Sequence, residues 1–170
     1  MWLLDGEPVL SHGPPERQQP APLALAEFFA RCGTDFDLSL DLKGPGTAQR
    51  TVELARSAGF DLARLWLCAP GGASGPWRGL DRRVGLVTDL RWWDALLRPH
   101  RTLPALGAQG FDAVNLRHGR WSRSLVRQAH EAGLLAFAWD VQHAWTLRWA
   151  VSRGVDAVYS DHVRLLLDGR

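Results

Sequence analysis

Six short apolar runs between residues 38 and 160, nearly all followed by a helix-like stretch, constrain this chain more than any other feature. They occupy residues 38–43, 63–68, 83–87, 112–116, 134–140 and 156–160. Their tips read Asp41 and Lys43, then Asn115, then Trp139 and Asp140, then Ser160 and Asp161. Strand, polar tip, helix is the rhythm by which a βα-barrel sets chemistry at the C-terminal rim of its strands. An acid, a base, amides and an aromatic on one face suit a charged, oxygen-rich ligand. Eight units close such a barrel, so six predict an α/β fold with an incomplete barrel.

At 170 residues the chain can bury one sizeable core, and a single domain over residues 1–170 is expected. The net charge is +2, and the twenty basic residues, almost all arginine, scatter through predicted helices. That pattern describes solvated helix faces and predicts no nucleic-acid partner. Cys32 and Cys68 have no metal-ligand spacing, and both lie in apolar surroundings. Two buried free thiols are expected, with a disulfide between them left open. No run of about 18 apolar residues exists to span a membrane. The start, Met1-Trp2-Leu3-Leu4-Asp5, has no basic region or long apolar region of a signal peptide, which predicts a cytoplasmic protein.

Residues 1–12 predict a β-hairpin turning at Asp5-Gly6, and proline-rich residues 13–22 an irregular loop. A helix is expected over 23–31, ending near Gly33, and Thr47 is a plausible N-cap for a helix running to Ser57. Residues 70–76 predict a flexible loop at a strand end. Asp89 could cap a helix carrying Trp92, Trp93, Leu96 and Leu97, whose helical spacing predicts core packing. Further helices are expected over 102–109, 122–132 and 142–153, and a final helical turn over 163–167.

Leu38, Leu40 and Leu42 alternate with Ser39, Asp41 and Lys43, so Asp41 and Lys43 share a side of their strand. A carboxylate can hold a divalent cation, and a lysine two residues on can neutralise a phosphate oxygen beside it. The same pair could equally be structural. His12, after the hairpin, could act as general acid or base, or simply be a surface histidine. Asn115 and His118 could hydrogen-bond a ligand hydroxyl or be loop polarity. His100, His130 and His143 are expected to face solvent. Asp161-His162 could cap the final helix. Gly71-Gly72-Ala73-Ser74-Gly75 is not a P-loop, since no Gly-Lys-Ser/Thr follows.

Taken together, the segments resemble the glycerophosphodiester phosphodiesterase family of TIM-barrel, metal-dependent phosphodiesterases. Asp5-Gly6-Glu7-Pro8-Val9-Leu10-Ser11-His12 is similar to the family's DG-x-PV-x-x-HD hairpin, and Asp41-Leu42-Lys43 to its E-x-K strand. Trp139-Asp140-Val141-Gln142 resembles its WTVN strand end. Gly154-Val155-Asp156-Ala157-Val158-Tyr159-Ser160-Asp161 resembles its GVDGIITD closing strand. The four motifs arrive in family order. The resemblance implies a phosphoric diester hydrolase that yields glycerol 3-phosphate and an alcohol, in lipid or glycerol metabolism. It makes His12 one of two proton-trading histidines, Asp41 a ligand for a divalent metal (Mg or Ca), Lys43 a lysine near the phosphate, and Trp139 an aromatic wall of the substrate pocket. Asn115 joins Trp139 as a substrate-binding candidate.

The family's His-Arg-Gly strand and the acidic pair of its second strand are not in these 170 residues. Gly13 stands where the family has Asp, and Asp41 where it has Glu. The expectation is an N-terminally truncated member, with roughly 50 further residues encoded in frame upstream, about two strands' worth. The alternative is a catalytically inactive relic serving as a binding or interaction module. An open barrel edge also predicts low stability or self-association.

Overall fold

The computed structural model of the protein describes residues 1–68 and 74–168. Its architecture is α/β of the βα-barrel type, with six parallel strands among the described residues. Two compact units divide the chain, Met1–Leu86 and Val87–Arg170.

The first unit opens with strands β1 (Trp2–Leu4) and β2 (Glu7–Leu10), antiparallel, with Trp2 opposite Val9 and Leu4 opposite Glu7. Asp5 (φ 50°) and Gly6 (φ 82°) both take the left-handed backbone that a tight two-residue turn requires. The two-residue strand β3 (Leu23–Ala24) pairs with β2 and leads into helix α1 (Leu25–Cys32), which stops at Gly33 (φ 75°). The parallel sheet then begins with β4 (Leu38–Asp41), followed by α2 (Thr47–Ser57), β5 (Leu65–Cys68), α3 (Ser74–Arg78) and β6 (Gly85–Asp89). Helix α2 buries Ala48, Val52 and Ala55, one stripe at helical spacing. Leu65, Leu67 and Leu86 are fully enclosed, each worth about 1.5–3 kcal/mol of apolar burial.

The second unit takes in the end of β6, then α4 (Trp92–Leu97), α5 (Pro99–Ala108), β7 (Ala113–Arg117), α6 (Arg123–Glu131), β8 (Leu135–Trp139), α7 (Ala144–Arg153), β9 (Ala157–Val158) and α8 (Val163–Asp168). The six parallel strands follow chain order from β4 to β9. Ala113, Val114, Ala136 and Ala138 of the strands are buried, as are Val126 and Ala129 of α6 and Ala150 of α7. Trp121 is 1% exposed, and its indole N–H donates to the Phe137 carbonyl at 2.9 Å, so the ring's one polar atom is satisfied.

Several local expectations are corrected. Thr47 is the first helical residue, not the cap. Gly46 (φ 77°) makes the turn, and the Thr47 hydroxyl donates back to the Lys43 carbonyl at 2.8 Å. Asp89 does not cap α4, because it ends β6 and accepts from Asn115; extended Arg91 precedes α4 without a side-chain cap. Trp92, Trp93, Leu96 and Leu97 are not core. A helix of 6 residues commits one residue, Ala95, to the interior, and the apolar stripe lies on another face. Cys32 is exposed, since it is the last residue of α1, beyond the packed turns, and no disulfide joins it to Cys68. The expected loop over 70–76 falls partly outside the described residues, and from Ser74 it is helix α3. His100, His130 and His143 are exposed, as expected.

Gly85 shows why β6 starts on a glycine. A Cβ there would lie 2.3 Å from the Trp66 ring, so the strand can pass the indole only without a side chain. Gly85→Ala should therefore cost about 1–3 kcal/mol in urea melts, as overpacked cores do. Adding Trp66→Leu to Gly85→Ala should return part of that loss.

Asp81 sits where three groups converge. Its carboxylate accepts from Arg83 Nε at 3.1 Å and Nη2 at 3.0 Å, from the Arg83 backbone N–H at 3.0 Å, and from Arg56 Nη2 at 3.2 Å. Hydrogen bonds from Arg83, first of all, hold the carboxyl well below the usual carboxylate range. A depressed folded-state value stabilises above the unfolded carboxylate pKa of about 4, and that stabilisation is lost as pH falls through it. Thermal melts from pH 6 downward should thus show a steeper acid loss in the wild type than in Asp81→Asn.

Candidate functional site

Asp41, the last residue of β4, and Lys43, just past it, form an ion pair, Lys43 Nζ to Asp41 Oδ2 at 2.7 Å. The strand alternation that buries Leu40 and Leu42 puts both charges on the opposite side of the strand, with side chains 64% and 45% exposed. A pair that open to water contributes at most about 1 kcal/mol. His12 follows β2 and is exposed. Asp41 is a single carboxylate already engaged by an ammonium. Among the described residues no group of three or more His, Cys, Asp or Glu side chains could hold a metal ion. A divalent cation needs several oxygen ligands, so the described residues of this chain do not by themselves fit one.

The second unit builds another arrangement from its strand register. Asp89 of β6 lies opposite Asn115 of β7, and Asn115 opposite Phe137 of β8. Two residues further along, Arg117 lies opposite Trp139. Side chains two apart share a face of the sheet, so Asn115 and Arg117 point the same way, as do Phe137 and Trp139. Asn115 Nδ2 donates to Asp89 Oδ1 at 3.1 Å. Its amide oxygen is buried and without a partner. Arg117 Nε donates to Asp140 Oδ2 at 2.8 Å, and Nη2 lies 2.7 Å from the same oxygen in the ion pair. Asp140 itself is in the left-handed region, at φ 63°.

Asp89, Asn115, Arg117 and Trp139 line one cavity of about 370 Å³ together with Arg91, Trp92 and Arg120. Arg120 stands over the Trp92 ring at 4.9 Å and Arg91 over Trp93 at 5.3 Å. Neither has a carboxylate partner among the described residues. Three guanidinium groups face two carboxylates, one of them spent on Arg117, so the cavity carries surplus positive charge. Planar guanidinium donors beside an amide and an aromatic wall suit a phosphate ester or a similar oxyanion.

Of the residues singled out from sequence, Asn115 and Trp139 thus line one cavity, and Asp41 and Lys43 form one ion pair. Arg117, Arg120, Arg91 and Asp89 were missed. A signal existed for two of them, since Arg117-His118-Gly119-Arg120 is a basic run directly after a strand. Titration with inorganic phosphate checks the cavity: Arg120→Ala should weaken binding about tenfold, the cost of one charged hydrogen bond. Asp41→Ala should leave that affinity unchanged.

No protein-family model matches the chain, and no curated protein matches its sequence. Solved structures do. It is similar to a Galdieria sulphuraria protein assigned as a glycerophosphodiester phosphodiesterase (18% identity, TM-score 0.71, covering 87% of this chain and 63% of that one). It is also similar to an Oleispira antarctica phosphodiesterase in complex with sn-glycerol-3-phosphate (16% identity, TM-score 0.69, 87% and 61%). A weaker likeness is to the Xanthomonas citri FimX EAL domain in complex with c-diGMP (19%, TM-score 0.53, 81% and 62%). At these identities the likeness shows the fold, that of the glycerophosphodiester phosphodiesterase barrel. The chain spans about three fifths of the length of these neighbours.

Proposed function

We propose that the chain is a member of the glycerophosphodiester phosphodiesterase family, one domain of a phosphoric diester hydrolase acting in lipid or glycerol metabolism. The observation that carries this reading is the arginine-lined cavity of Asn115 and Trp139 at strand C-termini, in a chain with that family's fold. Arg120 and Arg91 attract the phosphodiester anion and Arg117 adds a guanidinium held in place by Asp140. The buried Asn115 amide oxygen accepts from a glycerol hydroxyl, and Trp139 packs against the carbon skeleton. Hydrolysis adds water across the P–O bond to the alcohol, releasing glycerol 3-phosphate and the free alcohol. His12 is the proposed proton donor to the departing alkoxide, and Lys43 the group that neutralises a phosphate oxygen.

The divalent metal of the family, Mg or Ca, enters this proposal with Asp41 as one ligand and needs further ligands beyond it. No helix among the described residues is long and apolar enough to cross a membrane. A cytoplasmic location, the absence of a nucleic-acid partner and self-association through an open strand edge remain part of the proposal.

A second reading has its own support. The Asp41–Lys43 ion pair, and the lack of a three-donor metal group among the described residues, favour a binding module that holds a phosphodiester without hydrolysing it. Release of glycerol 3-phosphate from glycerophosphodiesters, assayed with Mg or Ca and with chelator, separates the two. The hydrolase reading expects metal-dependent turnover that His12→Ala and Asp41→Ala each abolish without lowering the melting temperature. Saturable binding with no turnover under any metal condition would leave the module reading in its place.

A further inference from the structure

Helix α4 turns a strongly apolar face to water. Trp92 and Trp93 are each 42% exposed, Leu96 68% and Leu97 70%. At positions i, i+1, i+4 and i+5 they form a single stripe, while Ala95 alone points inward. The two indoles meet edge to face at 4.8 Å, so the stripe is presented as an ordered surface. Around it stand Arg91, Arg98, Arg101 and Arg120, all exposed and none with a carboxylate partner among the described residues. Arg91 and Arg120 lie against the tryptophans themselves. Asp94 is the only acidic residue from 91 to 101.

We propose that this face docks on an anionic lipid surface. Tryptophan and leucine on one side of a short helix settle at headgroup depth, where an indole keeps its ring in apolar surroundings and its N–H in water. Arginine stems lie along the apolar stripe while their guanidinium groups reach lipid phosphates, and each cation near an anionic surface adds about 1 kcal/mol. Charge decides against a second copy of the chain as occupant. A two-fold contact would set the arginine collar on itself, with Asp94 as the sole counter-charge. Arg91, Trp92 and Arg120 also line the Asp89–Asn115–Trp139 cavity, so docking brings that cavity beside the headgroup layer.

Flotation of the full chain with vesicles of phosphatidylcholine, and of phosphatidylcholine mixed with phosphatidylglycerol, tests the proposal. Binding should be at least tenfold tighter on the anionic mixture and should weaken as salt is added. Arg98→Gln with Arg101→Gln should lose about 30-fold on the mixture, two cations' worth of attraction. Trp93→Ser with Leu97→Ser should lose at least tenfold on both vesicle types. These side chains line no part of the cavity, and circular dichroism should match the wild type. If a pair melts early, Arg101→Gln and Leu97→Ser taken singly should show the same directions at smaller size. Equal binding to both vesicle types, binding indifferent to these substitutions, or no binding would overturn the proposal. So would a lipid-independent dimer that the same substitutions dissolve.

Discussion

The parallel pairing of β6, β7 and β8 is the constraint on which the rest of the second unit depends. Its register sets Asp89 against Asn115 and Arg117 against Trp139. A parallel strand is covered on both faces along most of its length, so polar side chains can stand only near its ends. Ala113, Val114, Ala136 and Ala138 fill the covered length here, and the first polar positions after them are those that line the cavity. Slipping the pairing by one residue would turn Asn115 and Arg117 into the helix layer and bring Val114 and Leu116 to the cavity side. Core packing and site assembly therefore rest on the same backbone hydrogen bonds.

The first unit shows the opposite balance. Asp41 and Lys43 share a side of β4 through the same alternation, but their side chains remain open to water and satisfy one another at 2.7 Å. Water screens such a pair, so little free energy opposes pulling it apart. A ligand able to offer Lys43 a second anion, or Asp41 a cation, competes with a weak bond. The Asp89–Asn115 hydrogen bond and the Arg117–Asp140 contact, each between residues on different strands or turns, are better fixed in direction. The guanidinium of Arg117 in the second unit is thus held in a firmer frame than the Asp41–Lys43 pair of the first.

Much of the fold was legible because its signals are local. Asp5-Gly6 specifies a two-residue turn whatever surrounds it, and the alternation of Leu38, Leu40 and Leu42 specifies a one-faced strand. Strand ends were less legible, as β9 shrinks to Ala157–Val158 because pairing, not composition, decides where a strand stops. Two of the residues that line the cavity, Asn115 and Trp139, were legible. Arg117 and Arg120 were passed over since they follow the apolar run, and an isolated arginine after a strand looks like any solvated arginine. Asp89 was misread because an acid shortly before a helix serves equally as a cap or a strand tip, and only the Asn115 contact distinguishes the two. The helical spacing of Trp92, Trp93, Leu96 and Leu97 said which stripe of α4 is apolar. It could not say whether anything covers that stripe, since a core helix and an interfacial helix share one period.

The turn after β8 gives the arginines different parts to play. Asp140 holds a left-handed backbone at φ 63°, a conformation that aspartate tolerates better than most residues but at some cost. From there its carboxylate meets the Arg117 guanidinium through both Nε and Nη2. That leaves Arg117 with a fixed direction and a partly neutralised charge, useful for orienting a ligand more than for attracting one. Arg91 and Arg120 have the reverse character. Resting on indole faces at 5.3 and 4.9 Å, they keep full charge and can leave the rings for an anion at small cost. The cavity therefore joins one positioned cation to two that can move, and the mobile two are shared with the exposed face of α4.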